Sequence, residues 1–358
     1  RVVEVQVLRE VGAGPLLGLL NAPVEVRPQA ETLLRALALA LLLDAWNASM
    51  ASVMRAHLRT RDTLAVMVLM QVLQLALAVP LMLGVGSWPG LGLVGYALAL
   101  IASRLLALGL HLALWQTRLD LTVRAPDWWR LPRAELAAMA HIGLPGAAEN
   151  IAWRLAFTAS VAAVGLLGMQ AVATQAYVLQ LMGLIMLFSV ATGLGVEIIV
   201  GHLIGAGELR RAHGLVRRAL ARGIAVSLLV ALLFALAGPW LLRLFTQDEA
   251  IIRQGTVLLW CCLLLEPGRT FNLVVINALR AAGDARYPVA AGAASMLIVL
   301  AGGSWLLGVH LGFGLVGVWV AYAADEWLRG LLMWRRWARL SWVPYARQSR
   351  RRMAQRLA

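Results

Sequence analysis

Ten ionisable side chains fall inside or at the ends of long apolar runs of this chain: Asp44, Arg104, Glu149, Arg154, Glu197, Glu266, Arg269, Asp325, Glu326 and Arg329. A charge at the centre of a bilayer costs on the order of 2.5–3.5 kcal/mol, so such residues pair, line a cavity or handle ions. Asp44 and Glu266 are carboxylates about halfway along two equivalent runs. Burial disfavours the charged form of an acid, which lets such a carboxylate take up and release a proton. The same negative charge attracts a cation. A proton and a cationic solute would then compete for one site, which is exchange in its simplest form. Arg269 follows Glu266 by three residues on the same helical face and offers a second reading, a buried pair that only locks packing. Glu149 and the adjacent Asn150, the acid five residues before Arg154, are further candidates for ion or substrate coupling. Asp325 and Arg329 have i, i+4 spacing, and Glu326 lies between them. These three, with Arg104, Arg154 and Arg269, read as gating or charge-pair residues. Glu197, near His202, reads as a solvated or gate-lining acid.

The elements that position these residues are apolar runs long enough to cross a membrane, which takes about 20 residues as a helix. Nine are legible, near 32–54, 63–86, 91–115, 143–165, 169–198, 214–237, 251–278, 285–308 and 312–334. A tenth run, 11–20, is too short to span. Hydrophobic residues make up 61% of the chain and charged ones 14%, far from the balance of a soluble domain. The runs are continuous rather than alternating, which selects helices over a barrel. The net charge of +14 is not a nucleic-acid signature, because its distribution follows the spans. The connections 55–62, 116–135, 208–222 and 280–286 and the tail 335–358 hold 22 arginines, against three (Arg27, Arg243, Arg253) in the intervening loops. By the positive-inside rule the Arg-rich connections and the C-terminus are cytoplasmic. The tail, with Arg347, Arg350, Arg351, Arg352 and Arg356, reads as a solvated anchor touching anionic lipid. Cys261 and Cys262 are adjacent within one run and read as small packing residues.

The chain repeats itself. Val53-Met-Arg-Ala-His-Leu-Arg-Thr-Arg-Asp62 lies against Val275-Ile-Asn-Ala-Leu-Arg-Ala-Ala-Gly-Asp284 at an offset of 222 residues. At the same offset Gly90-Leu-Gly-Leu-Val-Gly95 matches Gly312-Phe-Gly-Leu-Val-Gly317, and Trp115 matches Trp337. Gly14-Pro15 matches Gly238-Pro239 at an offset of 224. Six crossings separate the copies, so the repeats are parallel and imply a site between two halves. The expected architecture is all-α and polytopic, with two parallel six-helix repeats of which the first is incomplete. Residues 1–115 form an N-terminal bundle lacking its first two helices and most of the third. Residues 116–142 form a connector with a short amphipathic helix from Arg133 to Ile142, and with Trp128 and Trp129 at the interface. Residues 143–340 form a complete six-helix bundle and 341–358 a basic tail. In the second copy Gly283 is expected to take positive φ in the turn and Asp284 to cap the next helix. The first copy has Arg61 at the place of Gly283, so its turn must be built differently.

Ala278-Leu-Arg-Ala-Ala-Gly-Asp-Ala-Arg-Tyr-Pro-Val289 resembles the loop signature of the multidrug and toxic-compound extrusion (MATE) family. So does Gly193-Leu-Gly-Val-Glu-Ile-Ile-Val-Gly-His-Leu-Ile-Gly-Ala-Gly207, with Gly143-Leu-Pro145 and Gly312 to Gly317 in the same order. The resemblance covers residues 14 to 340 and implies two six-helix bundles forming a V; the Arg-only basic usage and Ala/Leu richness point to a GC-rich bacterial gene, hence a bacterial inner membrane. It implies efflux of small organic, often cationic and amphipathic compounds in exchange for protons or sodium, with no other cofactor. The family often places an ion-binding Glu about eight residues after the proline of the seventh helix; that position is Trp153 here, and Glu149 lies only four after Pro145. Partners are a small-molecule substrate and the lipid bilayer, without nucleic acid, and the protein is expected to be a monomer. Tyr177, Met182, Met186 and Phe188 read either as liners of a permissive cavity or as packing residues.

Two other readings stay open. A lipid-linked or anionic-substrate flippase of the same superfamily would use Arg104, Arg154 and Arg269 to receive a phosphate, and a fragment of this length could be inactive. An enzyme is disfavoured, because His57, His111, His141, His202, His213 and His310 are scattered and neither HExxH nor GxSxG occurs.

Overall fold

The computed structural model describes residues 27–85, 88–122 and 133–357. The 11–20 run, Gly14-Pro15, Trp128 and Trp129 lie outside the described residues. The chain divides into two compact units, Arg1–Leu131 and Pro132–Ala358.

In unit 1, helices α1 (Arg27–Ala56), α2 (Thr60–Leu83) and α3 (Gly92–Leu119) are described, with α3 packed against both others. A small antiparallel hairpin, β1 (Gly84–Val85) with β2 (Trp88–Pro89), joins α2 to α3. In unit 2 the order is α4 (Arg133–Gly165), α5 (Met169–Gly205), α6 (Leu209–Leu236), the single turn and a half of α7 (Gly238–Arg243), and α8 (Glu249–Ala281). Then come α9 (Arg286–His310), α10 (Gly314–Ala338) and α11 (Val343–Leu357). Seven of these helices are long and apolar enough to cross a membrane. The other two expected spans are the helices α4 and α10. Their apolar runs are interrupted by Glu149 and Arg154, and by Asp325, Glu326 and Arg329. The chain is an all-α, multi-pass membrane protein.

Sequence explains the ends of these helices. Asp248 caps α8, accepting from the amides of Ala250 at 2.9 Å and Ile251 at 3.4 Å. Arginines occupy the last turns of α1, α3, α8 and α10, where the helix dipole favours positive charge. The repeat is visible in backbone detail. Gly92 and Gly314, 222 residues apart, open α3 and α10 at φ of +56° and +60°. A Cβ on Gly95 would overlap the carbonyl of Leu81, and one on Gly317 that of Leu307, so each copy needs glycine where these helices cross.

Helix α8 is the axis of unit 2, packed against α5, α6 and α10. The most apolar stretch of α8 is 72% buried, against 28% for that of α9. Between α8 and α10 the fit is reciprocal: Trp327 lies over Gly268, and Phe271 lies over Gly330. Glycine removes the Cβ and lets each ring seat against the facing backbone. Two apolar clusters result, one around Leu259, Trp319 and Tyr322, the other around Val275, Trp337 and Trp342.

Three expectations need correction. Residues 133–142 are not a separate short helix; α4 runs continuously from Arg133 through Pro145 to Gly165. The span 285–308 is not uniformly α-helical, because α9 widens into π-helix over Met296–Gly302 and Ser304–His310. Asp284 does not cap α9; its two oxygens accept from Arg336 at 2.5 and 3.1 Å, a charged partner outcompeting neutral amides. The tail adds a docked helix to the solvated arginines that were expected. It forms α11, seated by the fully buried Trp342 and Ala346, while Arg347, Arg350 and Arg351 stay exposed. The turns do differ as expected: Gly283 stands at φ +87°, whereas unit 1 turns at Leu58, φ +60°, and Arg61 is already helical.

Candidate functional site

The ionisable residues of unit 2 form one connected chain of charges. Glu266, completely buried on α8, accepts from Arg269 at 2.7 Å through Oε1, and its Oε2 has no hydrogen-bond partner. Arg269 continues through Nε to Glu326 of α10 at 3.4 Å. The second oxygen of Glu326 accepts from Asn272 at 2.9 Å and meets Arg329 at 3.1 Å. Arg329 closes on Asp325 at 3.0 and 2.7 Å, and Ser295 of α9 donates to the far oxygen of Asp325 at 2.6 Å. The order is acid, base, acid, base, acid. Beside it, Glu149 of α4 takes Arg280 of α8 at 2.5 Å, and the stem of Arg329 and the carboxylate of Glu149 both approach Gly292 of α9.

Helix periodicity builds this arrangement. Glu266, Arg269 and Asn272 are successive i, i+3 positions on α8, and Asp325, Glu326 and Arg329 share one turn of α10. The Gly268–Trp327 and Gly330–Phe271 contacts hold the two helices close enough for short side chains to meet. Four carboxylates (Glu149, Glu266, Asp325, Glu326) face three guanidinia (Arg269, Arg280, Arg329), so the fully ionised cluster carries a surplus negative charge. A buried surplus of that kind is discharged by a bound proton or cation.

Unit 1 solves the same problem otherwise. Asp44 pairs with Arg104 at 3.1 Å, and Arg104 also donates to Gln74 and, at 3.0 Å, to Ser103. Asn47 donates to the Arg104 carbonyl at 3.0 Å, and His111 lies 3.0 Å from Asn47 Oδ1. One acid meets one base there.

The structure therefore gathers Glu266, Arg269, Asp325, Glu326 and Arg329 in one cluster and Asp44 with Arg104 in another. Arg104 and Glu326, which stand at equivalent places 222 residues apart, are each partnered within their own unit. Arg154 is exposed and forms no ion pair with any described residue, so it is not a charge-pair residue here. Asn150 donates to the Gly146 carbonyl of its own helix at 3.0 Å rather than joining Glu149. Trp153 stacks on Phe157, ring centroids 5.3 Å apart. Gln74, Asn272, Ser295 and Arg280 were missed as site residues. The first three are polar residues in apolar runs, a signal that was present in the sequence; Arg280 reads as a loop residue until α4 is placed beside it. A second polar knot was also missed: Ser160 Oγ stands 2.9 Å from Ser304 Oγ and from Tyr322 Oη, with Gln175 3.4 Å from the latter.

Comparison with known proteins decides the family. The MatE family model matches residues 145–305, which takes in Glu149, Glu266 and Arg269. The uncharacterized transporter YisQ of Bacillus subtilis (strain 168) is 30% identical over 331 residues, covering 92% of this chain and 73% of that protein. The chain belongs to the MatE family. It is a transporter of that family, embedded in a membrane. A probable multidrug resistance protein NorM of Bradyrhizobium diazoefficiens is 29% identical over 284 residues, 73% of this chain and 57% of that protein. Among solved structures, the Vibrio cholerae MATE transporter VcmN in the bent form superposes with a TM-score of 0.80 at 21% identity, covering 97% of this chain and 75% of that one. This MatE chain thus shares its fold across relatives whose sequences have diverged widely.

Proposed function

We propose that this protein is a secondary antiporter of a bacterial inner membrane. It exports small organic, cationic and amphipathic compounds in exchange for protons or sodium. The observation that carries the reading is the surplus carboxylate of the unit 2 cluster, with Glu266 Oε2 buried and unpartnered. A proton or a sodium ion neutralises that surplus, and so does a cationic solute, which makes their binding mutually exclusive. The drug-resistance name of the NorM relatives supports the substrate class. The Arg-rich connections and tail supply the cytoplasmic anchor by charge distribution. The flippase reading has less to stand on, because two of its three arginines, Arg104 and Arg269, are held by carboxylates, which leaves Arg154 alone to meet a phosphate.

The test uses everted membrane vesicles carrying the intact protein. Addition of a cationic dye or drug should collapse an imposed proton or sodium gradient. Glu266→Gln keeps an acceptor for Arg269 and should fold, yet lose the substrate-dependent collapse; Asp44→Asn should weaken it. Undiminished exchange by Glu266→Gln would remove the carboxylate from the mechanism. No gradient response with any cation or anion would remove antiport altogether.

A further inference from the structure

The α5–α6 turn and the α10–α11 turn enclose a groove of about 780 Å³ that takes no part in the charge chain. Arg210, Arg211 and Arg347 line it together with Glu208, and Leu340 and Trp342 supply an apolar side. Glu208 is committed to Arg211, whose Nη1 donates to both carboxylate oxygens at 3.0 and 2.9 Å. Arg210 and Arg347 are exposed and form no ion pair with any described residue. The groove therefore presents two uncompensated guanidinia.

Its position and its second wall narrow the ligand. The α5–α6 turn joins two helices long and apolar enough to cross a membrane, so the groove lies at the level where spans emerge. Trp342, completely buried, anchors the floor, while Leu340 is half exposed beside the arginines. Leu340 holds that place at φ +56°, a left-handed conformation that a branched side chain rarely adopts. Arg350 reaches across from α11 over Gly207, tying the two turns together. A small free anion would need only the guanidinia. Paired guanidinia beside an exposed leucine at the membrane surface suit a phosphodiester that carries acyl chains.

We propose that this groove binds the headgroup of an anionic phospholipid, with Arg210 and Arg347 on the phosphodiester and Leu340 against the glycerol–acyl region. Binding would staple α11 to the α5–α6 turn.

The experiment is native mass spectrometry of the full-length protein in detergent, with melting temperature followed in parallel. The probe is dioctanoyl phosphatidylglycerol, compared with dioctanoyl phosphatidylcholine and inorganic phosphate. Phosphatidylglycerol should be retained and should raise the melting temperature, whereas the other two should not. Arg210→Gln with Arg347→Gln should weaken retention about 30-fold, two arginines at the membrane surface each acting with their ordinary strength. Lysine at both positions should keep most of the binding and guards against misreading a folding defect. Arg339→Gln with Arg351→Gln removes the same charge outside the groove and should leave binding unchanged. Equal retention of phosphatidylcholine, an equal effect of inorganic phosphate, or an equal loss in the Arg339/Arg351 control would each overturn the proposal.

Discussion

Asp44 and Glu266 stand at equivalent places in the repeat, yet their surroundings differ in a consistent way. The Asp44 side chain is 40% exposed and meets one arginine from α3, the neighbouring strut of its unit. Glu266 is 0% exposed and meets an arginine on its own helix, which is already shared with Glu326. At the offset of 222 residues, Arg104 is replaced by Glu326 and Asn47 by Arg269, so in unit 2 the base stands on the helix of the first acid and a second acid takes the place of the unit 1 base. Unit 1 keeps a balanced pair; unit 2 carries a longer chain with a surplus acid. The two frames are similar, and the charges are distributed differently within them.

The largest expected consequence is in stability. Arg269→Ala strands the fully buried Glu266, leaves Glu326 to Asn272 and Arg329, and should cost about 3–5 kcal/mol, read from thermal melting in detergent. Arg104→Ala strands one acid that is partly open, and should cost roughly half as much. Equal losses would erase the asymmetry between the units. Next come the loop aspartates. Asp284→Asn disrupts two charged hydrogen bonds to Arg336 and should lower stability by about 1.5–3 kcal/mol. Its mate Asp62 forms no ion pair with a described residue, so Asp62→Asn should stay within about 0.5 kcal/mol. A comparable loss at Asp62 would show an anchor common to both copies. The third pair concerns packing. Gly330→Ala would put a Cβ 2.6 Å from the Phe271 ring and should cost about 1–3 kcal/mol. The repeat mate of Gly330 is Leu108, a bulky residue where unit 2 needs none. The smallest effects should differ in sign. Gly283→Ala strains a backbone at φ +87° and should lose about 1 kcal/mol, while Leu58→Gly relaxes φ +60° and should gain about as much. Melts that move in the same direction would mean that the two turns are not strained as their φ angles say.

Much of the architecture was legible because the repeat speaks through glycine. Gly92 with Gly314 and Gly95 with Gly317 are required by backbone conformation or by close approach, so their spacing survives where apolar residues drift. The pairings Glu266–Arg269 and Asp325–Arg329 follow from helix periodicity alone and were open to the sequence. The links between helices were not. Whether Arg269 reaches Glu326, or Arg280 reaches Glu149, depends on which faces of α4, α8 and α10 meet, and no local pattern encodes that. The tail was obscured by its composition: its arginines suggest solvation, but Trp342 and Ala346 are placed to dock one face of a helix too short to stand alone. The π-wound part of α9 left no mark in a run that reads simply as apolar.

The reciprocal seating of Trp327 on Gly268 and Phe271 on Gly330 has a mechanical meaning. Each ring is a peg on one helix and each glycine a socket on the other, set in opposite directions about one turn apart. Sliding one helix past the other by a turn of about 5.4 Å would have to unseat both pegs at once. Helices α8 and α10 therefore behave as one girder. Spin labels on their outer faces should hold a fixed separation, and any bending of unit 2 must be taken up by other helices.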